Sequence, residues 1–447
     1  MDTDGMKRIA ESTVRTALGS GAEAAEVSVL RNLEFGVTVR KGRIENLSES
    51  GSWRISISVM VEGRKAHVTS TDLSGESIAA LAADGVELAR VLDRDEYEGL
   101  PEPEELGAAK GDLGIYDRES AAVPVPDKIE TAMALERAAL ALDDRIISDG
   151  ASCSTAVMAR AFANSLGFCE AYRRTANTID ISCAARDEAS AGHNTGKKQS
   201  SWWFSTSISY RGLDPVEKVA ARAVERTVRK LGAVKPKTCE VPVVFDPMTA
   251  RGFLSSIASA LSGAGIYKRA SFLADMLGET IGPGVLRVID DPFIEGGQGS
   301  RPFDAEGVMP RKKTVIDAGV LKSYLLSSYH ARKLGMKTTG NAGGTGNFYL
   351  EPGDLSPEEI IGEIENGLYL TSVSGPGANW STGDYSQGAQ GIWIRGGELA
   401  EPVGEFTITG TFPGMLKGIS AVGSDLERLG SIDSPTFRVD SMTVSGT

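Results

Sequence analysis

Few side chains in this sequence could hold a metal ion or act as a general base. The chain of 447 residues has three histidines, His67, His193 and His330, and no two of them are close in sequence. A hydrolytic zinc site needs about three protein ligands on rigid elements, with a carboxylate nearby as general base. The spacing of the histidines therefore predicts no zinc site in this chain.

The cysteines also lack the spacing of a metal or redox motif. They are too far apart for a C-x-x-C pair, and all lie at or before residue 239. In a long chain of ordinary composition, such cysteines are usually buried thiols rather than disulfides. We therefore interpret all four cysteines as buried thiols, and they are Cys153, Cys169, Cys183 and Cys239.

Two further arrangements could carry chemistry of other kinds. His330 could activate the Ser328 hydroxyl, but the chain has no G-x-S-x-G motif, and the two residues are two positions apart on one element. The loop Gly343–Gly346 could cradle a phosphate through its N–H groups, but it lacks the Gly-Lys-Ser/Thr of a P-loop. The pattern favours a turn, for which glycine supplies positive φ.

Carboxylates offer another route to metal chemistry. Asp290, Asp291 and Asp304 lie close together within a glycine-rich run. Oxygen ligands of this kind favour hard cations over zinc. A metallopeptidase with a non-standard metal site built from these aspartates stays an open alternative.

The glycine-rich strings provide the strongest functional signal. They are Gly297-Gln298-Gly299-Ser300-Arg301 and Gly340-Asn341-Ala342-Gly343-Gly344-Thr345-Gly346-Asn347. Asn164-Ser165-Leu166-Gly167-Phe168 precedes them, and Ser328-Tyr329-His330-Ala331 lies between them. In this order the strings resemble the TldD/PmbA family, and the resemblance covers most of the chain, most strongly from about Cys239 onward. That family pairs a catalytic zinc-protease subunit with a sister subunit that lacks the metal site.

The resemblance also implies which of the two subunits this chain is similar to. Catalytic members carry an H-E-x-x-x-H helix, and the matching helix here is Phe253–Leu261. Its ligand positions are held by Ser255 and Ala260, and Ser256 replaces the glutamate. The cysteine ligand that the catalytic sister takes from a loop near its C-terminus is missing as well. The chain therefore resembles the PmbA branch, also called TldE.

A non-catalytic partner subunit of a TldD-like zinc metallopeptidase is the function that the resemblance implies. Family precedent is a closed, hollow hetero-oligomer that takes in unfolded or extended peptides, including antibiotic precursors and labile antitoxins. Zinc is then expected in the partner subunit and no cofactor in this chain, which leaves open whether the chain alone is an enzyme. The residues expected along the peptide channel are Arg301, Asn341, Gly343, Gly344 and Asn347. A homodimeric peptide-binding or scaffold protein without a protease partner stays an alternative.

Composition and charge exclude several other classes of protein. The formal net charge is −13, from 47 basic and 60 acidic residues, which disfavours a surface that neutralises nucleic-acid phosphates. The family's other label, modulator of DNA gyrase, is therefore not interpreted as DNA binding. No apolar run approaches the ~20 residues of a membrane span, and the N-terminus lacks a hydrophobic signal region. We expect a cytoplasmic protein that binds neither nucleic acid nor membrane.

Periodicity predicts an α+β fold. Helical patterns cover Asp4–Gly19, Gly75–Leu92, Lys128–Leu142 and Asp214–Leu231, with alternating strand patterns between them. The repeated order of strands and helix predicts two similar two-layer α/β units in tandem. Between the units, the acidic, proline-bearing segment Glu98–Asp127 predicts a linker.

The pattern changes from Cys239 onward. Short strands separated by glycine turns predict a mostly antiparallel β domain, barrel-like or sandwich-like, with inserted helices. One helix is expected from the N-cap Ser356, with Pro357 at its first position, to Gly367 as terminator. The expected domains are thus 1–120, 121–236 and 237–447.

Overall fold

The computed structural model of the chain describes residues 2–187 and 198–446, and His193 lies outside these ranges. Within them the strands form sheets of six, five and seven strands. The first sheet belongs to the N-terminal half of the chain and the other two to the C-terminal domain. No helix in the described part of the chain is long and apolar enough to cross a membrane.

Two units of the same element order build the first sheet. The first unit contains α1 (Thr3–Gly19), β1 (Ala24–Arg40), β2 (Arg43–Val61), β3 (Arg64–Ser70) and α2 (Gly75–Val91). The second contains α3 (Val125–Leu142), β4 (Ile146–Asn164), β5 (Cys169–Arg186), β6 (Lys198–Ser207) and α4 (Val216–Val228). Each unit is therefore a helix, three strands and a helix, which is the tandem order that the periodicity predicts.

The two units share their sheet rather than standing apart. The strand order is β3-β2-β1-β4-β5-β6, and β1 pairs with β4 antiparallel from Glu26 opposite Asn164 to Val39 opposite Ala151. One apolar core lies between α1, α2 and the first half of the sheet, and a second lies under α3 and α4. The domain limit at residue 120 stays a prediction.

Strand β2 is longer than its sequence pattern indicates. Alternation predicts a strand only from Ile55 to Val61, whereas β2 begins at Arg43. Residues 43–52 are all exposed, so no polar and apolar alternation marks them. Pairing with β1 alone, from Arg43 opposite Arg40 to Ser52 opposite Asn32, keeps this half extended.

The linker Glu98–Asp127 wraps over the C-terminal domain. Its backbone bonds to the glycine-rich run at several points, including Gly107 N–H to the Gly307 carbonyl at 3.0 Å and Ala109 N–H to the Pro302 carbonyl at 2.8 Å. Two short 3₁₀ turns interrupt it, Pro103–Glu105 and Ser120–Ala122, and its last residues already belong to α3, which begins at Val125. The linker therefore ties the glycine-rich run to the N-terminal half.

The C-terminal domain is a closed barrel with a second sheet and helices around it. The barrel strands are β7 (Cys239–Phe245), β12 (Asn366–Ser374), β14 (Asp384–Arg395), β15 (Glu398–Thr411) and β18 (Phe437–Ser445), extended by β13 (Ala378–Asn379) and β16 (Ile419–Val422). The ring closes because β12 pairs with both β7 and β14. The second sheet contains β8 (Val288–Asp291), β9 (Lys313–Asp317), β10 (Val320–Leu321), β11 (Asn347–Leu350) and β17 (Ile432–Asp433). The helices are α5 (Pro247–Ala260), α6 (Gly263–Tyr267), α7 (Ser328–Lys333), α8 (Pro357–Gly362) and α9 (Phe412–Lys417).

Helix α8 confirms one end of its prediction and corrects the other. Ser356 caps the helix, and the Glu359 side chain accepts from the Ser356 N–H at 2.7 Å, which completes a capping box. The helix ends at Gly362, however, and Gly367 lies in β12. A Cβ at Gly367 would lie 2.6 Å from the Ile364 side chain. Close packing, rather than helix termination, therefore requires glycine there.

Candidate functional site

A cavity of about 360 Å³ lies where α5, α6 and α7 meet the glycine loop 341–345. Hydroxyl groups and backbone form much of its wall. The lining side chains and backbone come from Ser255, Ala258, Ser259, Ser262, Gly263, Ala264, Leu325, Ser327, His330, Asn341, Ala342, Gly343, Gly344, Thr345 and Ile432. We take this cavity as the candidate functional site.

Helix α5 is anchored at its first turn by a buried ion pair. Asp246 is the N-cap, and its Oδ1 accepts from the Thr249 N–H at 2.9 Å. Its Oδ2 accepts from Arg226 Nη1 at 2.7 Å, and Arg226 Nη2 donates to the Thr371 carbonyl at 3.0 Å. Because Arg226 lies on α4, the pair fixes α5 both to the second N-terminal unit and to the barrel.

The three positions matched to the family's metal motif do not share one face of α5. Ser255 is exposed and lines the cavity, whereas Ser256 is half-buried, lies outside the lining and donates to the Gly252 carbonyl at 3.3 Å. Ala260 is fully buried in the core, with 0% of its surface exposed. Side chains five positions apart on a helix point about 140° apart, at 3.6 residues per turn. Ser255 and Ala260 therefore diverge, and the residue that joins Ser255 in the cavity is Ser259.

His330 contributes the imidazole of the cavity. Ser327, the N-cap of α7, accepts from the His330 N–H at 3.3 Å, and its Oγ lies 2.8 Å from His330 Nδ1. A serine oxygen that already accepts one bond can donate its own proton to Nδ1, which leaves the proton of the ring on Nε2. Burial, with help from nearby Lys268, lowers the pKa of His330. The ring is therefore neutral at pH 7.

Gly263 sets the distance between α6 and α7. A Cβ at this position would lie 2.5 Å from His330 Cβ and 2.8 Å from its Cγ. We expect Gly263→Ala to destabilise the protein by about 1–3 kcal/mol, because the inserted methyl must push the imidazole or the helix aside. Urea unfolding of the two proteins measures this difference.

Gly252→Ala is the matched control for that substitution. Gly252 lies on α5, and a Cβ there would meet nothing within 4 Å. Alanine is a better helix former than glycine, so this variant is expected to be about 0.5–1 kcal/mol more stable than the wild type. Equal stability of the two variants would contradict the role assigned to Gly263.

The serine-hydrolase arrangement at Ser328 and His330 does not form. Ser328 is buried, its N–H donates to Glu306 Oε2 at 2.9 Å, and its hydroxyl has no hydrogen-bond partner among the described residues. The imidazole instead contacts Ser327, which is already used as the cap of α7. His330 therefore has no hydrogen bond to the Ser328 hydroxyl that it would have to activate.

A buried network holds the glycine loop. Asp290 is 1% exposed, and its Oδ2 accepts from Lys313 Nζ at 3.0 Å and from Asn341 Nδ2 at 2.8 Å. Its Oδ1 accepts from the Gly346 N–H at 2.7 Å. Lys313 Nζ also donates to Asn341 Oδ1 at 2.9 Å. The start and the end of the loop are thus attached to the same carboxylate.

The five residues expected along a peptide channel occupy different environments. Gly343 and Gly344 line the cavity, and both have positive φ. Asn341 also lines the cavity, and its side-chain amide donates to the buried carboxylate of Asp290. Arg301 lies outside the cavity lining, and its Nη2 donates to the Gly344 carbonyl at 2.5 Å. Asn347 is buried, with Nδ2 bonded to the Asp291 carbonyl at 2.7 Å. Arg301 and Asn347 therefore shape the loop from outside the cavity.

The aspartates of the non-standard metal alternative are each bonded separately. Asp291 accepts from Lys312 at 3.0 Å, and Asp304 accepts from the backbone N–H groups of Glu306, Val308 and Ala342. Burial raises the pKa of Asp304 to about 6. Among residues 2–187 and 198–446, no group of three or more His, Cys, Asp or Glu is arranged to hold a metal ion. These carboxylates act in the structure as anchors for backbone.

Zinc does not fit the side chains of the cavity. The donors available there are one imidazole, already bonded to Ser327, the side-chain amide of Asn341, and the hydroxyls of Ser255, Ser259, Ser262, Ser327 and Thr345. Zinc sites are built from thiolate, imidazole and carboxylate ligands, with three protein ligands in a hydrolytic site. Apart from His330, the lining offers none of these.

The cysteines lie away from the cavity. Cys153 and Cys183 are buried and Cys169 and Cys239 half-buried, all as free thiols. Burial raises the pKa of Cys183 to about 12 and that of Cys169 to about 11. Thiols with such pKa values stay protonated at pH 7 and are poor metal ligands or nucleophiles.

Sequence reasoning missed Ser259, Ser262 and Ser327. The signal for Ser259 was its position four residues after Ser255, since residues i and i+4 lie on one face of a helix. Ser262 and Ser327 cap the short helices α6 and α7, and such helices leave little periodicity to detect. Their approach to α5 depends on long-range packing.

The class of this protein follows from its fold. It is an α+β chain with a closed C-terminal barrel and a helix-lined cavity beside the barrel. Models of three PmbA/TldA metallopeptidase domains match it: domain 1 over residues 25–89, the central domain over 118–231 and the C-terminal domain over 238–446. Together with the relatives described next, these matches show that the chain belongs to the PmbA/TldD metallopeptidase family.

Similarity to individual proteins extends over nearly the whole chain. The chain is 33% identical to the metalloprotease PmbA of Escherichia coli O157:H7 over 447 residues, covering 99% of this chain and 97% of that protein. It is 32% identical to a PmbA homolog of Haemophilus influenzae over 445 residues, covering 99% and 96%.

Solved structures share the fold. A protein of Bacteroides thetaiotaomicron described as a candidate modulator of DNA gyrase superposes with a TM-score of 0.93 at 29% identity, covering 100% of both chains. TldE of Thermococcus kodakarensis superposes with a TM-score of 0.85, covering 98% of this chain and 100% of the other. At 23% identity, the second comparison shows the likeness of fold alone.

Proposed function

We propose that this chain is the non-catalytic subunit of a complex with a zinc-bearing metallopeptidase of the same family, and that the complex cleaves unfolded or extended peptides. The observation that carries the proposal is the set of donors in the cavity. A family member with the complete fold has serine hydroxyls and a single neutral imidazole there. The partner would supply the metal, the activated water and the general base.

The surface of the cavity supports a role in holding peptide rather than cleaving it. Gly343 and Gly344 present backbone without side chains beside the hydroxyls of Ser255 and Ser259. Such a surface offers hydrogen bonds to an extended main chain with little dependence on its sequence. The net charge of −13 lends no support to nucleic acid as the ligand.

The test is reconstitution of a complex with the H-E-x-x-x-H member of the family from the same organism. Each protein is purified alone, then the two are mixed and separated by size, and cleavage of an unfolded, fluorescently labelled peptide is followed. We expect a stable complex, and cleavage only when both subunits and zinc are present. The double variant Ser255→Ala, Ser256→Ala of this chain is expected to keep the kcat of the complex nearly unchanged, since neither hydroxyl takes part in chemistry, although loss of the Ser255 hydroxyl from the cavity is expected to raise the KM for peptide.

The matched control changes the glutamate of the partner's motif to glutamine, which is expected to abolish cleavage without disturbing assembly. Metal-dependent cleavage by this chain alone would instead support the non-standard metal site. A stable homodimer that does not bind the partner would support the alternative of a homodimeric scaffold protein. A large fall in kcat for the Ser255→Ala, Ser256→Ala complex at saturating peptide would contradict the non-catalytic role.

A further inference from the structure

A second cavity lies in the N-terminal half, where the helix pairs of the two units part. It is an open groove of about 430 Å³ between the start of α1 and helix α3. Its floor is the middle of the shared sheet. Ligand sites for small molecules generally have volumes of about 300–1,000 Å³, so the groove is large enough for one.

Three cross-strand rows form the floor of the groove. Arg31 pairs with Ala159, Leu33 with Val157 and Phe35 with Thr155. These side chains point to the helix-covered face, but neither helix pair covers the middle row. Leu33 is consequently 39% exposed. An apolar surface is left open between charged residues on either side.

Lys128 from α3 closes one end of the groove. The side chain is only 5% exposed, and its Nζ lies 4.8 Å from the centre of the Phe35 ring. No carboxylate among the described residues forms an ion pair with it. Burial lowers the pKa of Lys128. The exposed Glu49 of the groove lining attracts the ammonium from a distance without pairing with it. A buried ammonium without a directly bonded counter-ion costs free energy, and the fold keeps one at this position.

The other end of the groove carries two arginines. Arg31 lies 5.2 Å from the Trp53 ring, and Arg173 lies 4.1 Å from the Tyr116 ring. Arg173 also donates to the Tyr116 hydroxyl at 3.3 Å. Neither guanidinium forms an ion pair with a described carboxylate. The acidic residues of the lining are exposed to solvent, and they are Asp2, Glu34 and Glu49.

We propose that the groove binds a small organic carboxylate with an apolar body. The carboxylate would lie against Lys128, and the apolar body would cover Leu33 and Val157. This occupant supplies the missing counter-ion and buries the open floor, whereas an inorganic anion would leave the floor exposed. The site is on the opposite half of the chain from the cavity of α5, and it does not depend on the proposed peptidase role.

The probes for this site are N-acetyl-phenylalanine and N-acetyl-leucine, each compared with its amide. Binding to the full chain is measured by isothermal titration calorimetry. We expect both acids to bind, and both amides to bind at least about tenfold more weakly, because a charge-assisted hydrogen bond is lost. Lys128→Met, which keeps the length of the side chain without its charge, is expected to reduce affinity for the acids by at least about tenfold.

Lys237→Met is the matched control, since Lys237 is an exposed lysine outside the groove lining. The affinity of this variant for the acids is expected to equal that of the wild type. We expect the melting temperature of Lys128→Met to be at least that of the wild type, because the substitution removes an unpaired buried charge. Equal binding of acids and amides would overturn the proposal. So would unchanged affinity in a folded Lys128→Met protein, or no binding of either acid by the wild type at about 1 mM.

Discussion

Replacing Asp246 by alanine is expected to destabilise the protein by about 3–5 kcal/mol, since removal of one partner from a buried ion pair leaves the other charge uncompensated. The substitution leaves Arg226 buried beside the Thr371 carbonyl, removes the carboxylate that also pairs with Arg229 at 3.4 Å, and removes the cap of α5. Urea unfolding followed by tryptophan fluorescence measures the loss, because Trp203 lies 5.2 Å from the Arg226 guanidinium.

Two further variants separate the ion pair from the cap. Asp246→Asn keeps an oxygen for the Thr249 N–H but removes the negative charge, so it is expected to keep part of the stability. Ser356→Ala removes the exposed cap of α8 and is expected to cost only about 1 kcal/mol. Equal losses in Asp246→Ala and Ser356→Ala would mean that the ion pair with Arg226 contributes nothing.

Replacing Asp290 by alanine is the second change with a large expected effect. It leaves the Lys313 ammonium buried without its carboxylate and removes the acceptor of the Gly346 N–H. We again expect a loss of about 3–5 kcal/mol. Because Asp290 attaches both ends of the glycine loop, limited proteolysis is expected to cut the variant within residues 340–346, where the wild type resists.

The double variant Asp290→Asn, Lys313→Met tests the electrostatic origin of that loss. It removes both charges while keeping side chains of similar size, so no buried charge is left unpaired. We expect it to be clearly more stable than Asp290→Ala and to resist proteolysis at the loop. If the double variant were as unstable as Asp290→Ala, hydrogen bonds to the loop rather than charge would account for the effect.

Local patterns in the sequence are enough for much of the fold. The apolar period of α1 and the capping signals at Ser356 are local, and the structure contains α1 and the start of α8 where they were expected. Adjacent residues of a strand point to opposite faces, and Trp202 and Trp203 of β6 are accordingly 49% and 3% exposed. Each of these conclusions depends on a few neighbouring residues.

The pairing of strands that lie far apart in the chain could not be predicted from the sequence. The barrel closes through the parallel pairing of β12 with β7, between strands more than 120 positions apart in the chain, and no local pattern records it. The same limit applied to the candidate site. Ser255 could be placed on a helix from the sequence, but its approach to His330 depends on how α5 packs against α7. Ala260 could also be placed on that helix, but its burial in the core depends on the same long-range packing.

The sheet shared by the two N-terminal units has a consequence for how this chain can be divided. In an isolated first unit, the edge of β1 from Glu26 to Val39 would have no neighbour, and such bare edges recruit other strands. Because the second unit repeats the order of the first and faces it antiparallel, another copy of the first unit could take its place. A gene fragment encoding this unit alone would thus yield a symmetric swapped pair or an aggregate instead of a monomer.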